Sequence, residues 1–340
     1  MLKRILKIAS VYTGVILGAG FASGKELIHF FVRFGWPGFV GIILSGLIFG
    51  LVGWAVMDIC LKHKIHNYEE FLQNIMGKKP AVWMNIIVTV FLFVLFATML
   101  SAGGAALEQA FEWPVSVGIV LLGLLCLAIF LFDLEGLMKI NMVCVPPLIA
   151  GGIFIGVYSF LHQEAVPAFL YFQEANWLAS AVSYTSYNII TAIVLLAGMA
   201  RVVNTKQVAC WGGILGGLAI AVTAVFMSLP LFAGFPSNAD TSIPLLNIAQ
   251  QLDEVFQYGF LLLFFVAVFT SALCNGFAFL QSVCAGIPSG RLLAAKILTT
   301  ATGMAAAHIG FSVFVTRVYP LFGLLGLVQI VLIFKAISNP

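Results

Sequence analysis

Apolar residues run through this chain in long unbroken blocks, and polar residues fall between the blocks far more often than inside them. Blocks and breaks together give ten candidate spans, near 5–34, 37–60, 81–106, 114–132, 136–161, 178–202, 207–233, 255–284, 291–313 and 318–337. A helix needs about 20 apolar residues to cross the hydrocarbon core, and lipid obliges every spanning backbone group to find its partner within the chain. The blocks lack the period-two alternation of barrel strands. The pattern therefore predicts an all-α membrane protein of ten transmembrane helices, one polytopic domain over residues 1–340. Composition agrees, with 62% of the 340 residues hydrophobic and 9% charged, against roughly 25% charged in an ordinary soluble domain.

The opening "MLKRILK" and its apolar run have the outline of a secretory signal. The charges that follow lead into more apolar sequence, as in a half-broken span, and nine further spans come after, so it is taken as the first span. Cys60, Cys126, Cys144, Cys210, Cys274 and Cys284 form no CxxC pair and lie in or near the spans. They read as small core residues, not disulfides or metal ligands.

Ten spans sort the loops to alternate sides. Lys3, Arg4, Lys7, Lys62, Lys64, Lys78, Lys79, Lys139, Arg201, Lys206, Arg291, Lys296 and Lys335 fall on the N-terminal side; only Lys25, Arg33 and Arg317 fall on the other. The positive-inside rule then puts both termini in the cytoplasm. Glu108, Glu112, Glu164, Glu174, Asp240, Asp253 and Glu254 lie opposite, but acidic residues orient spans poorly and the basic split carries the assignment. The net charge of +3 reflects this topology and not a nucleic-acid partner.

"FVLFATMLSAGGAALEQ" (93–109) in the third span can be laid over "FVAVFTSALCNGFAFLQ" (265–281) in the eighth, with Thr98 over Thr270 and Gly104 over Gly276. Five spans separate the copies, so they cross in opposite directions, which makes an inverted repeat of five plus five over approximately 1–161 and 178–337. The first span then corresponds to the sixth, and both carry polar interruptions: "GAGFASGKE" (18–26) and "SYTSYN" (183–188). Paired broken spans point to a transporter's binding site near the bilayer midplane.

Glycine inside a helix costs about 1 kcal/mol relative to alanine, so Gly14, Gly18, Gly20 and Gly24 disfavour an unbroken first helix. "SGKE" has the form of a capping box, Ser23 as N-cap and Glu26 reaching back to its amide, which would start a second half-helix. Bare amides there would attract a carboxylate, and bare carbonyls on the preceding half would attract a cation. A glycine-rich packing face is the competing explanation, and Gly14-x-x-x-Gly18 satisfies it. Close packing does not account for Ser23, Lys25 and Glu26.

"GVILGAGFASGKELIHFF" resembles the signature of the YkvI-type bacterial membrane proteins, of the amino acid–polyamine–organocation (APC) superfamily with the leucine-transporter (LeuT) fold. The resemblance covers the whole chain. It implies a five-plus-five inverted repeat with broken helices 1 and 6 in a bacterial cytoplasmic (inner) membrane. It also implies a sodium ion, with no other metal and no cofactor, held between the first and eighth spans. Carried over, the ligands are the carbonyls of Gly14 and Leu17 with Ala267, Thr270 and Ser271, the last three on one helix face. Back-bonding of Thr270 and Ser271 to their own helix is the plainer alternative. Phe21 stands where some members carry the asparagine of a second sodium site, and the fifth span has no lysine beyond Lys139 to act as a sodium surrogate.

Solute contacts are expected from Gly18, Ala19, Gly20 and Ser23, from Tyr184, Ser186, Tyr187 and Asn188, and from Thr98, Ser101 and Asn275. With only Lys25 and Glu26 charged nearby, such a pocket suits a small zwitterion or neutral solute, its carboxylate on backbone amides. Glu26 is a capping residue or a coupling carboxylate. Lys25 and Arg33 are expected to snorkel, and Asp58 to pair with Arg4 or Lys7. An intramembrane serine protease is disfavoured because Phe21 breaks the G-x-S-G pattern before Ser23 and leaves His308 without a role. No P-loop or metal-ligand cluster marks a pump. The sequence therefore predicts no enzyme but a sodium-coupled secondary transporter of a small solute such as an amino acid. A proton-coupled transporter and a transporter-fold receptor that binds without net transport are the alternatives.

Overall fold

A computed structural model of the chain describes residues 1–162, 176–235, 243–284, 288–309 and 319–338. Among them every regular element is a helix. The helices are α1 (Leu2–Ile16), α2 (Ala19–Ala22), α3 (Lys25–Phe30), α4 (Trp36–His63), α5 (Tyr68–Met76), α6 (Lys78–Phe111) and α7 (Val115–Phe130). They continue as α8 (Asp133–His162), α9 (Trp177–Gly198), α10 (Lys206–Ala233), α11 (Pro244–Leu252), α12 (Glu254–Val283), α13 (Ser289–Ala307) and α14 (Tyr319–Ser338). Six of them, α4, α6, α8, α9, α10 and α12, are long and apolar enough to cross a membrane. Glu164, Glu174, Asp240 and Arg317 lie outside the described residues.

A helix apolar and buried on every side belongs at the centre of a bundle. Among the segments that meet that condition are α1 from Ile8 to Ile16 and α9 from Tyr184 to Gly198. Around them, α8, α10 and α12 pack on α1, while α4 and α14 pack on α9. The longest contact is α4 along α10, where the backbones nearly touch. A side chain at Gly213 would run into Gly53 and Trp54, and one at Gly217 into Gly50.

The first span leaves helical geometry where the glycines cluster. α1 ends at Ile16, Gly18 is extended at ψ −169°, and a single turn, α2, follows. Gly24 then takes φ +83°, a left-handed conformation that costs glycine nothing, and α3 begins. Ser23 does not form the expected capping box. Its amide donates to Ala19 O, its hydroxyl donates to Gly20 O at 3.0 Å, and it accepts from the Lys25 amide at 3.2 Å. The N-cap is Gly24, and Glu26 is released from a capping role.

The sixth span overturns the second expected interruption, since α9 runs unbroken through 183–188. Two of the polar side chains that suggested a break, Thr185 and Asn188, are accommodated by the helix itself, as is Thr191 one turn on. Thr185 Oγ1 donates to Ala181 O at 2.9 Å, Asn188 Nδ2 to Tyr184 O at 3.0 Å, and Thr191 Oγ1 to Asn188 O at 2.9 Å. Such back-bonding lets polar residues sit in a helix without opening it.

Candidate functional site

The end of α1 meets the middle of α12. Ser271 Oγ donates to Gly14 O at 2.8 Å and reaches Val15 O at 3.3 Å, while Thr270 Oγ1 donates to Ala267 O at 3.0 Å. Gly14, Ala267, Thr270 and Ser271 are thus together, and Val15 supplies the second α1 carbonyl at the Ser271 hydroxyl, where the resemblance pointed to Leu17. Thr270 back-bonds within its own helix; Ser271 bridges to α1. The local chemistry is a set of neutral oxygens on two helices, with hydroxyls that can turn from donating to a carbonyl to accepting a cation.

Asn141 on α8 belongs to the same neighbourhood, and sequence reasoning passed over it. It is fully buried, its Oδ1 lies against Gly14, its Nδ2 donates to Leu137 O at 2.9 Å, and Cys274 Sγ is 3.6 Å from Nδ2. A buried asparagine within an apolar span was the available signal.

One helical turn from Ser271 lies a small cavity of about 20 Å³, room for roughly one water-sized group. Gly18, Glu26, Tyr187, Asn188, Thr191 and Asn275 give it polar walls, and Val15, Ile16, Leu95 and Met99 give it apolar ones. Glu26 is 6% exposed, paired with the Tyr187 side chain and folded over Gly20, leaving no space there for a Cβ. The protein's own carboxylate thus holds the position that the sequence assigned to a solute's carboxylate. Asn275 Oδ1 is buried without a partner, while its Nδ2 donates to Ser271 O at 2.9 Å.

Of the residues proposed to contact solute, Gly18, Tyr187, Asn188 and Asn275 line this one cavity, together with Glu26 and Thr191. The other expected contacts lie elsewhere. The Ala19 amide faces Met99 Sδ at 3.4 Å, Gly20 is covered by Glu26, and Ser23 is engaged in its turn, its carbonyl accepting from Leu245. Thr98 is buried and back-bonded to Val94 O at 2.7 Å, and Ser101 is buried outside the cavity wall. Tyr184 packs among Phe30, Phe31 and Phe49, and Ser186 abuts Gly326 of α14.

At the bundle end bearing the N-terminus, Lys3, Arg4, Lys7, Asp133, Glu135 and Arg201 surround an open cavity of about 790 Å³. Asp58 pairs with Lys62 at 2.7 Å, one turn along its own helix, instead of with Arg4 or Lys7. Arg33 lies over the Phe34 ring, 4.7 Å from its centroid.

No protein-family model matches the chain. It is 30% identical over 326 residues to the membrane protein YkvI of Bacillus subtilis (strain 168), covering 94% of this chain and 92% of that one. The chain belongs to the YkvI family of membrane proteins. Among solved structures, this family member is similar to a Na⁺-coupled sialic acid symporter in its substrate-bound outward-open state. That match has a TM-score of 0.74 at 14% identity over 99% of this chain and 79% of the other. It is similar also to MhsT in complex with L-phenylalanine, with a TM-score of 0.66 at 14% identity over 97% and 98% of the two chains. The YkvI-family chain thus has the LeuT fold of these structures and is a multi-pass membrane protein.

Proposed function

We propose that the protein is a sodium-coupled secondary transporter that carries a small solute across the bacterial cytoplasmic membrane by alternating access. Ten spans in two inverted halves, both termini cytoplasmic, supply the frame. The packing supports this, because helix contacts come in the mirrored pairs that such halves require: α1 with α10 and α9 with α4, α1 with α8 and α9 with α14. In this reading the first span stays broken and the sixth works as a continuous helix.

The observation that carries the proposal is the bond from Ser271 Oγ to Gly14 O at 2.8 Å, one turn from a small polar cavity between α1, α9 and α12. Sodium would take the place of that hydroxyl proton among the oxygens of Gly14, Val15 or Leu17, Ala267, Thr270 and Ser271. The ion would tie α1 to α12, while solute in the neighbouring cavity would tie α1 to α9. A ligand that prefers the closed state shifts the population toward it, and two ligands sharing α1 do so together. Sodium coupling in one structural neighbour, the sialic acid symporter, is consistent with this reading.

The test is accumulation of a radiolabelled amino-acid panel in proteoliposomes with and without an inward sodium gradient. Thr270→Ala with Ser271→Ala should abolish sodium dependence while the protein still inserts and folds. Binding without accumulation would favour a receptor, and accumulation driven by a pH gradient alone would replace sodium with protons. Unchanged sodium dependence in the double variant removes the ion-site assignment.

A further inference from the structure

We propose that the cavity beside Gly18 recognises its solute by a protonated amine, with Glu26 as the counter-charge. The inference deepens the transporter reading and rests on that cavity being the solute site. Its basis is a count of donors and acceptors around the cavity.

Each asparagine on the α9 and α12 walls gives one of its two side-chain N–H groups to the protein, and Thr191 gives its hydroxyl. Asn188 Nδ2 donates to Tyr184 O, Asn275 Nδ2 to Ser271 O, and Thr191 Oγ1 to Asn188 O. A carbonyl can only accept, so these bonds fix which end of each asparagine amide faces its own helix. The remaining amide oxygens are free for a guest, and Asn275 Oδ1 is buried with no partner at all. To these acceptors Glu26 adds a carboxylate, which offers about four acceptor sites, of which the one Tyr187 hydroxyl can fill one. No lysine, arginine or histidine is among the described residues lining the cavity.

A site rich in acceptors, holding a buried carboxyl, is complementary to a group that brings positive charge and several N–H donors. An ammonium group brings three. Its size matches too, since about 20 Å³ admits roughly one water-sized group. A cavity of this size takes the head group alone, and the rest of the solute needs its walls to move apart. A carboxylate in the same place would face Glu26 and be repelled, so an acid without an amine is excluded whereas an amine or an amino acid held by its ammonium end is admitted.

The experiment is thermal unfolding of the purified full-length protein in constant sodium chloride. The probes are ethylammonium, propionate and tetramethylammonium, each at tens of millimolar. Ethylammonium should raise the melting temperature; propionate, of similar size and opposite charge, and tetramethylammonium, a cation without N–H donors, should not. Glu26→Gln should weaken the ethylammonium response by about tenfold, the scale of a hydrogen bond to a charged group, and Glu26→Asp should restore part of it. Stabilisation by propionate equal to that by ethylammonium, or none by ethylammonium, overturns the proposal. The wild-type comparison decides even if Glu26→Gln fails to fold. Sodium-driven accumulation of a solute lacking an amine would overturn this inference and leave the transporter reading intact; amine binding without accumulation would do the reverse.

Discussion

Gly217→Ala tests the tightest seam in the bundle. The added Cβ would lie 2.5 Å from Gly50 Cα and 2.9 Å from the Phe49 carbonyl carbon, and both are backbone atoms that no rotamer change can move. Gly50 N would lie closer still, and ordinary contact begins near 3.4 Å, so α4 and α10 must part by about 1 Å at this point. A gap of that size forfeits roughly a quarter to a half of the dispersion energy of each atom pair across it, and overpacking of this kind costs about 1–3 kcal/mol. Gly259→Ala is the control, because a Cβ there meets nothing within 4 Å and the position lies exposed within α12. Helix propensity alone should make it neutral or stabilising by up to about 1 kcal/mol. The two variants should therefore differ by roughly 1–4 kcal/mol, read as denaturant unfolding of each protein in the same detergent. Equal stability of the two, or a more stable Gly217→Ala, would refute the idea that glycines set the α4–α10 distance.

Asn141→Leu keeps the volume of the side chain but removes the amide oxygen against Gly14; sodium-dependent thermal stabilisation should weaken by about tenfold, with the melting temperature without sodium nearly unchanged. An unaltered sodium response would leave Asn141 a packing role only. Asn67→Ala removes the cap of α5, where Asn67 Oδ1 accepts from the Glu70 amide at 2.8 Å and Glu70 Oε2 accepts from the His66 amide at 2.8 Å. It should cost about 1 kcal/mol locally, seen as faster hydrogen exchange at residues 67–71 with no change elsewhere.

What the sequence made legible was what depends on long runs. The stretch expected at 37–60 is the helix Trp36–His63, and that at 207–233 is Lys206–Ala233, because a membrane-length apolar block has few other ways to satisfy its backbone. Short elements were less visible. Tyr68–Met76 and Pro244–Leu252 are amphipathic nine-residue helices that draw on tertiary contact, with Phe71 and Leu72, or Leu245 and Leu246, buried against the bundle. The two polar interruptions looked alike as strings, yet they differ in chemistry. Within "SYTSYN", Thr185 and Asn188 have side chains that bond back to carbonyls of their own helix, whereas the glycines of "GAGFASGKE" offer no such side chain, and there the helix yields. The direction of Glu26 was equally hidden, since capping depends on whether Ser23 or Gly24 turns the chain, and Gly24 takes the left-handed conformation.

The ion and solute readings meet in one turn of α12. Ser271 gives its hydroxyl to Gly14 O and its carbonyl to Asn275 Nδ2, so the residue that closes the α1 seam also orients the amide whose oxygen faces the cavity. A cation drawn to Gly14 O would turn the Ser271 hydroxyl away from that carbonyl. A donor-bearing solute on Asn275 Oδ1 would polarise the same amide from the other side. Hydrogen bonds in series polarise one another where water is excluded, and coupling between two ligands is reciprocal by thermodynamic necessity. The linkage therefore needs no long pathway, because Gly14, Ser271 and Asn275 are joined by two hydrogen bonds. The broken first span keeps its carbonyls available at one end of this short chain, and the continuous sixth span provides the rigid wall at the other.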